Sequence, residues 1–331
     1  MPDRTFVEPS DTLQSRSAGA KRNRLRRHWS LLIAAAALSL AAFLLARTLR
    51  RYSLDELVTS VTTIPGARLI AAGAFAGASY LCLTGFDYFA LRYAGRPLPY
   101  RRAALASFTS LSLGHNIGFA FLSSGAVRYR FYSRWGLSAG QVAKVILFCG
   151  LTVGLGLSTL GGAALLLRSD LAQEITGLER RIILVLGTLC LVVPLAYLTL
   201  ATIGRPLRLR SWSLPVPRLR HALAQVVIGP LNFACVAACL HQALAAVADV
   251  TYLGVASVYV IANTAAILSH VPGGLGVIES VVIYLLPHAD VIGPLLVFRF
   301  VYFLVPLLFG TLLLATSEAV FRLRRGKSRT T

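Results

Sequence analysis

The stretch ILSHVPGGLGVIES, Ile267 to Ser280, places Pro272, Gly273, Gly274 and Gly276 between two ionisable residues, His270 and Glu279, inside a hydrophobic run. Proline removes a helix donor and glycine permits a turn, so the segment predicts a helix that breaks and restarts. A restarted half-helix presents free N–H groups and a partial positive charge, which suit a phosphate or a carboxylate. Glu279 could then take a proton in a relay, hold a cation or pair with an arginine. The competing reading is a first-turn acid that only stabilises its own half-helix.

A second unusual segment is SSGAVRYRFYSRWGLSAG, Ser123 to Gly140, where Arg128, Arg130 and Arg134 alternate with Tyr129, Phe131, Tyr132 and Trp135. Arginine binds phosphate through paired hydrogen bonds, so this pattern fits a headgroup-level phosphate site. It fits equally well a basic cytoplasmic loop with its aromatic belt. Just upstream, Gly114-His115-Asn116-Ile117-Gly118 is another break, and Asn116 and Gly118 join the candidate residues. Asp87 and Arg299 are embedded charges suited to a buried pair or a substrate contact, with Arg299 read as reaching back to its interface. Asn116, Asn232 and Asn263 also read as hydrogen-bonding glue between helices, and Gly73-x-x-x-Gly77 and Gly150-x-x-x-Gly154 as close-packing motifs.

Other chemistry finds no support in the residue pattern. Cys82, Cys149, Cys190, Cys235 and Cys239 all fall in apolar runs without a CxxC pair or a Cys/His cluster, which reads as small buried residues and implies neither a metal nor a cofactor. A Walker-type phosphate loop, an HExxH motif and a nucleophile elbow are all missing, so neither ATP-driven pumping nor hydrolysis is expected.

These residues need elements to hold them, and composition names the class. Of 331 residues 56% are hydrophobic and 14% charged, with a mean hydropathy of +0.68, which marks an all-α polytopic integral membrane protein. The formal net charge of +20 is concentrated in loops and tails beside apolar runs, where positive-inside topology accounts for it without a nucleic-acid partner.

Apolar runs lie at about 29–46, 69–91, 103–125, 142–167, 182–203, 223–248, 253–286 and 294–321, eight hydrophobic segments in all. The basic segments 92–102, 126–144 and 204–220 should be cytoplasmic, while 168–181 and the turns at Asp249 and Asp290 should face outward. Segments 103–125 and 253–286 then each begin and end on one side of the membrane. The reading is six full spans plus two oppositely inserted re-entrant helical hairpins, a pattern like the inverted repeats of transporters. Residues 47–68 fit badly: they should be external yet carry Arg47, Arg50, Arg51 and Arg68. Residues 1–28 read as a basic cytoplasmic tail, 29–321 as the membrane domain and 322–331 as a second basic cytoplasmic tail.

HVPGGLGVIES together with GHNIGFAFLSSGAVRYRFYSRWGL resembles the signature of the lysylphosphatidylglycerol synthase transmembrane-domain family, over about Leu69 to Phe321. The resemblance implies a lipid-translocating domain of the bacterial inner membrane acting on anionic or aminoacylated phospholipids. It implies no synthase activity, since the soluble aminoacyltransferase domain of the longer members would have to follow Phe321; any lipid-modifying enzyme would be a separate partner. Carried over by motif, Asn116, Gly118, Arg128, Arg130, Pro272, Gly273, Gly274, Gly276 and Glu279 become translocation-site residues, beside Arg134, His270 and Asp87 from the reading above. A non-transporting lipid-binding scaffold is the alternative, and oligomerisation is compatible with either.

Overall fold

The computed structural model describes residues 54–117, 120–204, 207–209, 212–214, 217–269, 274–285 and 291–327. The expected first span at 29–46, the N-terminal tail, Gly118, His270, Pro272 and Gly273 lie outside the described residues. The elements are α1 (Leu54–Thr63), α2 (Gly66–Tyr93), α3 (Tyr100–Ile117), α4 (Ala120–Arg134), α5 (Ala139–Leu167), α6 (Ser169–Thr176), α7 (Arg180–Ile203), a ribbon of β1 (Leu207–Leu209) and β2 (Trp212–Leu214), α8 (Leu219–Leu244), α9 (Tyr252–Ser269), α10 (Val277–Leu285), α11 (Ile292–Arg299) and α12 (Val305–Lys327). A π-helical turn, Phe300–Leu304, joins α11 to α12, so the two read as one continuous span. The sequence reading did not anticipate α1, α6 or the ribbon, whose register pairs Leu207 with Leu214 and Leu209 with Trp212.

Six described helices are long and apolar enough to cross a membrane: α2, α5, α7, α8, α9 and α11–α12. Five were expected as full spans. The sixth, α9, is the first arm of the expected hairpin 253–286, and its 18 residues reach about 27 Å, against 9 residues in α10. The arms are unequal because the proline–glycine break falls late in the apolar run.

Side-chain contacts fix how the helices run. Ser79 of α2 meets Asn232 of α8 near the middle of both helices, and Tyr93 faces His221 with ring centroids 6.5 Å apart, so α2 and α8 are antiparallel. Gln225, early in α8, donates to the Phe148 carbonyl of α5 at 3.0 Å, and Gly229 meets Gly156 one turn further on, so α5 and α8 run the same way. One end of the bundle therefore gathers the close of α2 and the starts of α5 and α8, with Arg92, Arg96, Arg101, Arg102, Arg218 and Arg220. The other end gathers the start of α2, the close of α5 and α8, and the mixed charges of α6.

Against that frame α3 and α4 pack on each other and begin and end at the basic end. Ser138 starts α5 there with a reciprocal cap, its hydroxyl accepting from Gln141 N at 3.3 Å and its own N–H donating to Gln141 Oε1 at 2.9 Å. At the opposite end Arg168 of the α5 terminus donates to Thr251, just before α9, at 3.0 Å. In turn α9 packs against α8 and α5 and also against α10, and the chain leads on to α11, which packs against α8 and α1.

Without a hydrophobic drive between helices in lipid, small residues decide where backbones cross. A Cβ on Gly156 would lie 2.6 Å from the Gly229 carbonyl carbon, and one on Gly162 would lie 2.9 Å from the Gly187 oxygen. Glycines 73, 77 and 154, expected from their spacing to be packing sites, would meet nothing within 4 Å. Spacing alone does not say which face of a helix is covered.

Candidate functional site

Two buried ion pairs hold the two helical pairs to the long spans. Arg128 of α4 donates from Nε to Asp87 Oδ1 at 2.9 Å and from Nη2 to Oδ2 at 2.8 Å, and from Nη1 to Ser124 at 3.0 Å. Tyr132 adds a 2.6 Å bond to Oδ1. Asp87 and Tyr132 are fully buried and Arg128 is 3% exposed. The sequence reads Arg128 as a phosphate ligand at headgroup level; in the structure its guanidinium is buried in protein, with Nε, Nη1 and Nη2 each bonded to the carboxylate of α2 or to Ser124 of α4.

The second pair lies toward the opposite end. Arg299 of α11 donates from Nη2 to Glu279 Oε2 at 2.7 Å and to the Gly274 carbonyl at 3.0 Å, and its Nε also bonds Glu279. Arg299 is 4% exposed, so it does not snorkel as expected: its partner waits on α10 one helix away. Glu279 has a second role, since its Oε2 accepts the Gly276 N–H at 2.9 Å and caps the restarted helix. Both readings of Glu279 given by the sequence, a partner for arginine and a stabiliser of its own half-helix, describe bonds present here.

The glycines of this break are needed for two reasons. Gly274 and Gly276 have φ of +59° and +85°, in the left-handed region. A Cβ on Gly274 would also stand 2.9 Å from the Cβ of Ala266, at the close of α9.

Between the pairs runs a chain of polar groups. Ser79 donates to Asn232 Oδ1 at 2.7 Å, which leaves the Tyr302 hydroxyl to donate to Ser79 at 3.0 Å. The π turn frees carbonyls that a regular helix would occupy. Tyr80 donates to the Tyr302 carbonyl at 3.4 Å and Asn116 to the Phe303 carbonyl at 3.3 Å. Asn116 thus joins the close of α3 to the last span, while Arg299, four residues earlier on that span, joins the second break. His115, beside Asn116, stacks on Tyr302 with centroids 6.4 Å apart, and its Nδ1 is buried with no partner among the described residues.

Arg130 and Arg134 lie one turn apart on α4 and share Glu318 of α12, at 2.8 Å from Arg130 Nε and 2.9 Å from Arg134 Nη2. Arg134 also covers the Phe321 ring at 4.8 Å. Glu318, Tyr302 and Ser79 are not singled out by the sequence, and Tyr132 is read there only as part of an aromatic belt. Glu318 falls where the last apolar run turns into the basic tail, and a lone acid there reads as an interface residue; the π turn has no signature in composition.

Of the expected site residues, the structure brings Gly274, Gly276 and Glu279 together with Arg299, and Asp87 with Arg128. It places Asn116 between these clusters and puts Arg130 and Arg134 on a third, around Glu318.

Comparison with known proteins gives a coherent result. A family model described as the lysylphosphatidylglycerol synthase TM region matches residues 31–310. An uncharacterized protein of Synechocystis sp., slr0712, is 30% identical over 308 residues, covering 89% of this chain and 96% of its own. The inner membrane protein YbhN of Escherichia coli is 26% identical over 267 residues, covering 78% of this chain and 83% of that protein.

Proposed function

The chain belongs to the family of the lysylphosphatidylglycerol synthase TM region, and from that premise we propose that it moves phospholipid between the leaflets of the bacterial inner membrane. The lipid is anionic or aminoacylated, such as a phosphatidylglycerol derivative or cardiolipin, and the chain acts as a transporter and not as an enzyme. Both termini lie in the cytoplasm, and the pairs α3/α4 and α9/α10 are re-entrant hairpins inserted from opposite faces. A charged headgroup crosses a bilayer only where polar groups replace its water.

One observation carries this reading. The close of α3 and the α9–α10 break, approached from opposite ends of the bundle, meet the last span one turn apart, Asn116 at the Phe303 carbonyl and Glu279 at Arg299. Irregular backbone and charge at that depth are tolerated only inside protein or along a wet path, and discontinuous helices meeting near the midplane are how transporters build such a path. The arginines at the basic end gather anionic headgroups by long-range attraction, and Arg299 with Glu279 exchanges partners as the headgroup passes.

A second reading, a lipid-binding scaffold that recruits a lipid-modifying enzyme, is favoured by the engagement of the Asp87–Arg128 pair with protein groups, Tyr132 and Ser124 included. Dithionite quenching of fluorescent phosphatidylglycerol in proteoliposomes separates the two. Translocation predicts quenching beyond the outer-leaflet share, lost in a folded Glu279→Gln variant and absent from protein-free vesicles. Quenching confined to the outer leaflet, with folded protein and several headgroups tried, supports the scaffold.

A further inference from the structure

The end of the bundle opposite the basic one carries an open polar pocket of about 550 Å³, lined by Arg68, His241, Asp249 and the turn 245–250. Its volume falls in the range of small-ligand sites, roughly 300–1,000 Å³. Arg68 is the residue that made segment 47–68 fit badly with the charge rule, since an arginine at the acid-bearing end of a membrane protein runs against the usual distribution. It lies in the first turn of α2, whose N-cap, Pro65, offers no side-chain cap, and the space about Gly66 is open. The Arg68 guanidinium therefore gives one side of the pocket positive character.

The other side has the opposite character. The 26-residue α8 ends at Leu244, which brings the negative end of its dipole to the pocket, and Asp249 follows in the turn. His241 pins that turn through a 3.1 Å contact between Nε2 and the Val250 carbonyl and sits edge-on to Tyr252. Neither Arg68 nor Asp249 has an ion-pair partner among the described residues. A cation and an anion thus line the same cavity without an ion-pair contact between them.

We infer that this pocket binds a dipolar group, a phosphate ester that also bears an ammonium, with phosphate toward Arg68 and ammonium toward Asp249. The inference does not rest on translocation, because it is read at equilibrium.

The test is calorimetric titration of the full-length protein in detergent with O-phosphoethanolamine, inorganic phosphate and ethylammonium. The dipolar probe should bind at least about tenfold more tightly than either half, since each end adds a hydrogen-bonded charge. Arg68→Ala and Asp249→Asn should each remove about that factor, while Asp170→Asn on the exposed surface of α6 should change nothing. A nanodisc arm assigns the source: displacement of the soluble probe by phosphatidylethanolamine but not phosphatidylglycerol discs identifies a lipid headgroup, and displacement by neither identifies a soluble phosphate ester. Phosphate binding as tightly as the dipolar probe, an Asp249→Asn variant that binds normally, or folded protein that binds none of the three would each overturn the inference. A pocket that binds in protein unable to quench inner-leaflet lipid would leave it standing while the translocation reading fell.

Discussion

Arg128 and Asp87 form a two-bond ion pair in which the base stands on the outgoing helix α4 and the acid on the long span α2. At the other pair the signs are exchanged: Glu279 stands on the outgoing helix α10 and Arg299 on the long span. Asp87 is six residues from the end of α2 and Arg299 seven from the start of α11, about 9 and 10 Å in from opposite ends of the bundle. The chain thus solves the same anchoring problem twice with inverted direction and inverted charge.

The first pair should behave as an inseparable unit. Asp87→Ala leaves a guanidinium buried without a counter-charge and should cost about 3–5 kcal/mol, whereas Asp87→Leu combined with Arg128→Met removes both charges and should recover most of that loss. Thermal unfolding in detergent of Asp87→Ala and of the double variant measures this. A double variant no more stable than Asp87→Ala would mean that Tyr132 and Ser124 need the charges more than the charges need each other.

Glu279 should divide into two separable contributions. Glu279→Gln keeps an acceptor for the Gly276 N–H but loses the charge facing Arg299; Glu279→Ala loses both. The alanine variant should be less stable than the glutamine variant by about 1 kcal/mol, the worth of a helix cap. Both should lose translocation alike if the charge serves transport. Equal stability of the two variants would show that the cap contributes nothing measurable.

Much of this was legible in the sequence for a physical reason. Glu279, Asp87, Arg299 and the glycine break stand out because charge and broken backbone are costly in lipid, so their mere presence marks a place the fold must protect. What the sequence could not give was the pairing. Glu279 and Arg299 are twenty residues apart, and the alternatives of relay, cation ligand and ion pair differ only in which helix the fold brings opposite. Arg128 could not be told from its neighbours for a related reason: three arginines in a row of aromatics look alike, and only the Asp87 carboxylate, 41 residues away, buries this one in protein. The π turn follows from no residue type.

The glycine crossings give the sharpest contrast between motif and contact. Gly156→Ala and Gly229→Ala push a methyl into backbone at 2.6 Å and should each cost about 1–3 kcal/mol, the range for overpacking. Gly73→Ala and Gly77→Ala, although they carry the recognisable spacing, meet open space and should be neutral or stabilising by up to about 1 kcal/mol, as alanine favours helix over glycine. Melting temperatures of the four single variants, measured in one detergent, rank them. A Gly73→Ala variant that melts as low as Gly156→Ala would place an unseen partner on that face of α2.

The orientation of the two helical pairs is open to a labelling test with single cysteines in a cysteine-free background. Pro97 and Ser138 flank α3/α4, and Thr251 and Ile292 flank α9/α10; all four side chains are exposed at the ends of the bundle. If both pairs are re-entrant hairpins from opposite faces, a membrane-impermeant maleimide added to intact cells should reach positions 251 and 292 and neither 97 nor 138. The two members of each couple must agree, because each pair of helices leaves by the face it entered. Label at 251 without label at 292 would mean that α9 crosses completely and that the chain returns elsewhere. Its length of 18 residues makes that outcome physically possible, and so makes the couple 251 and 292 the more informative of the two.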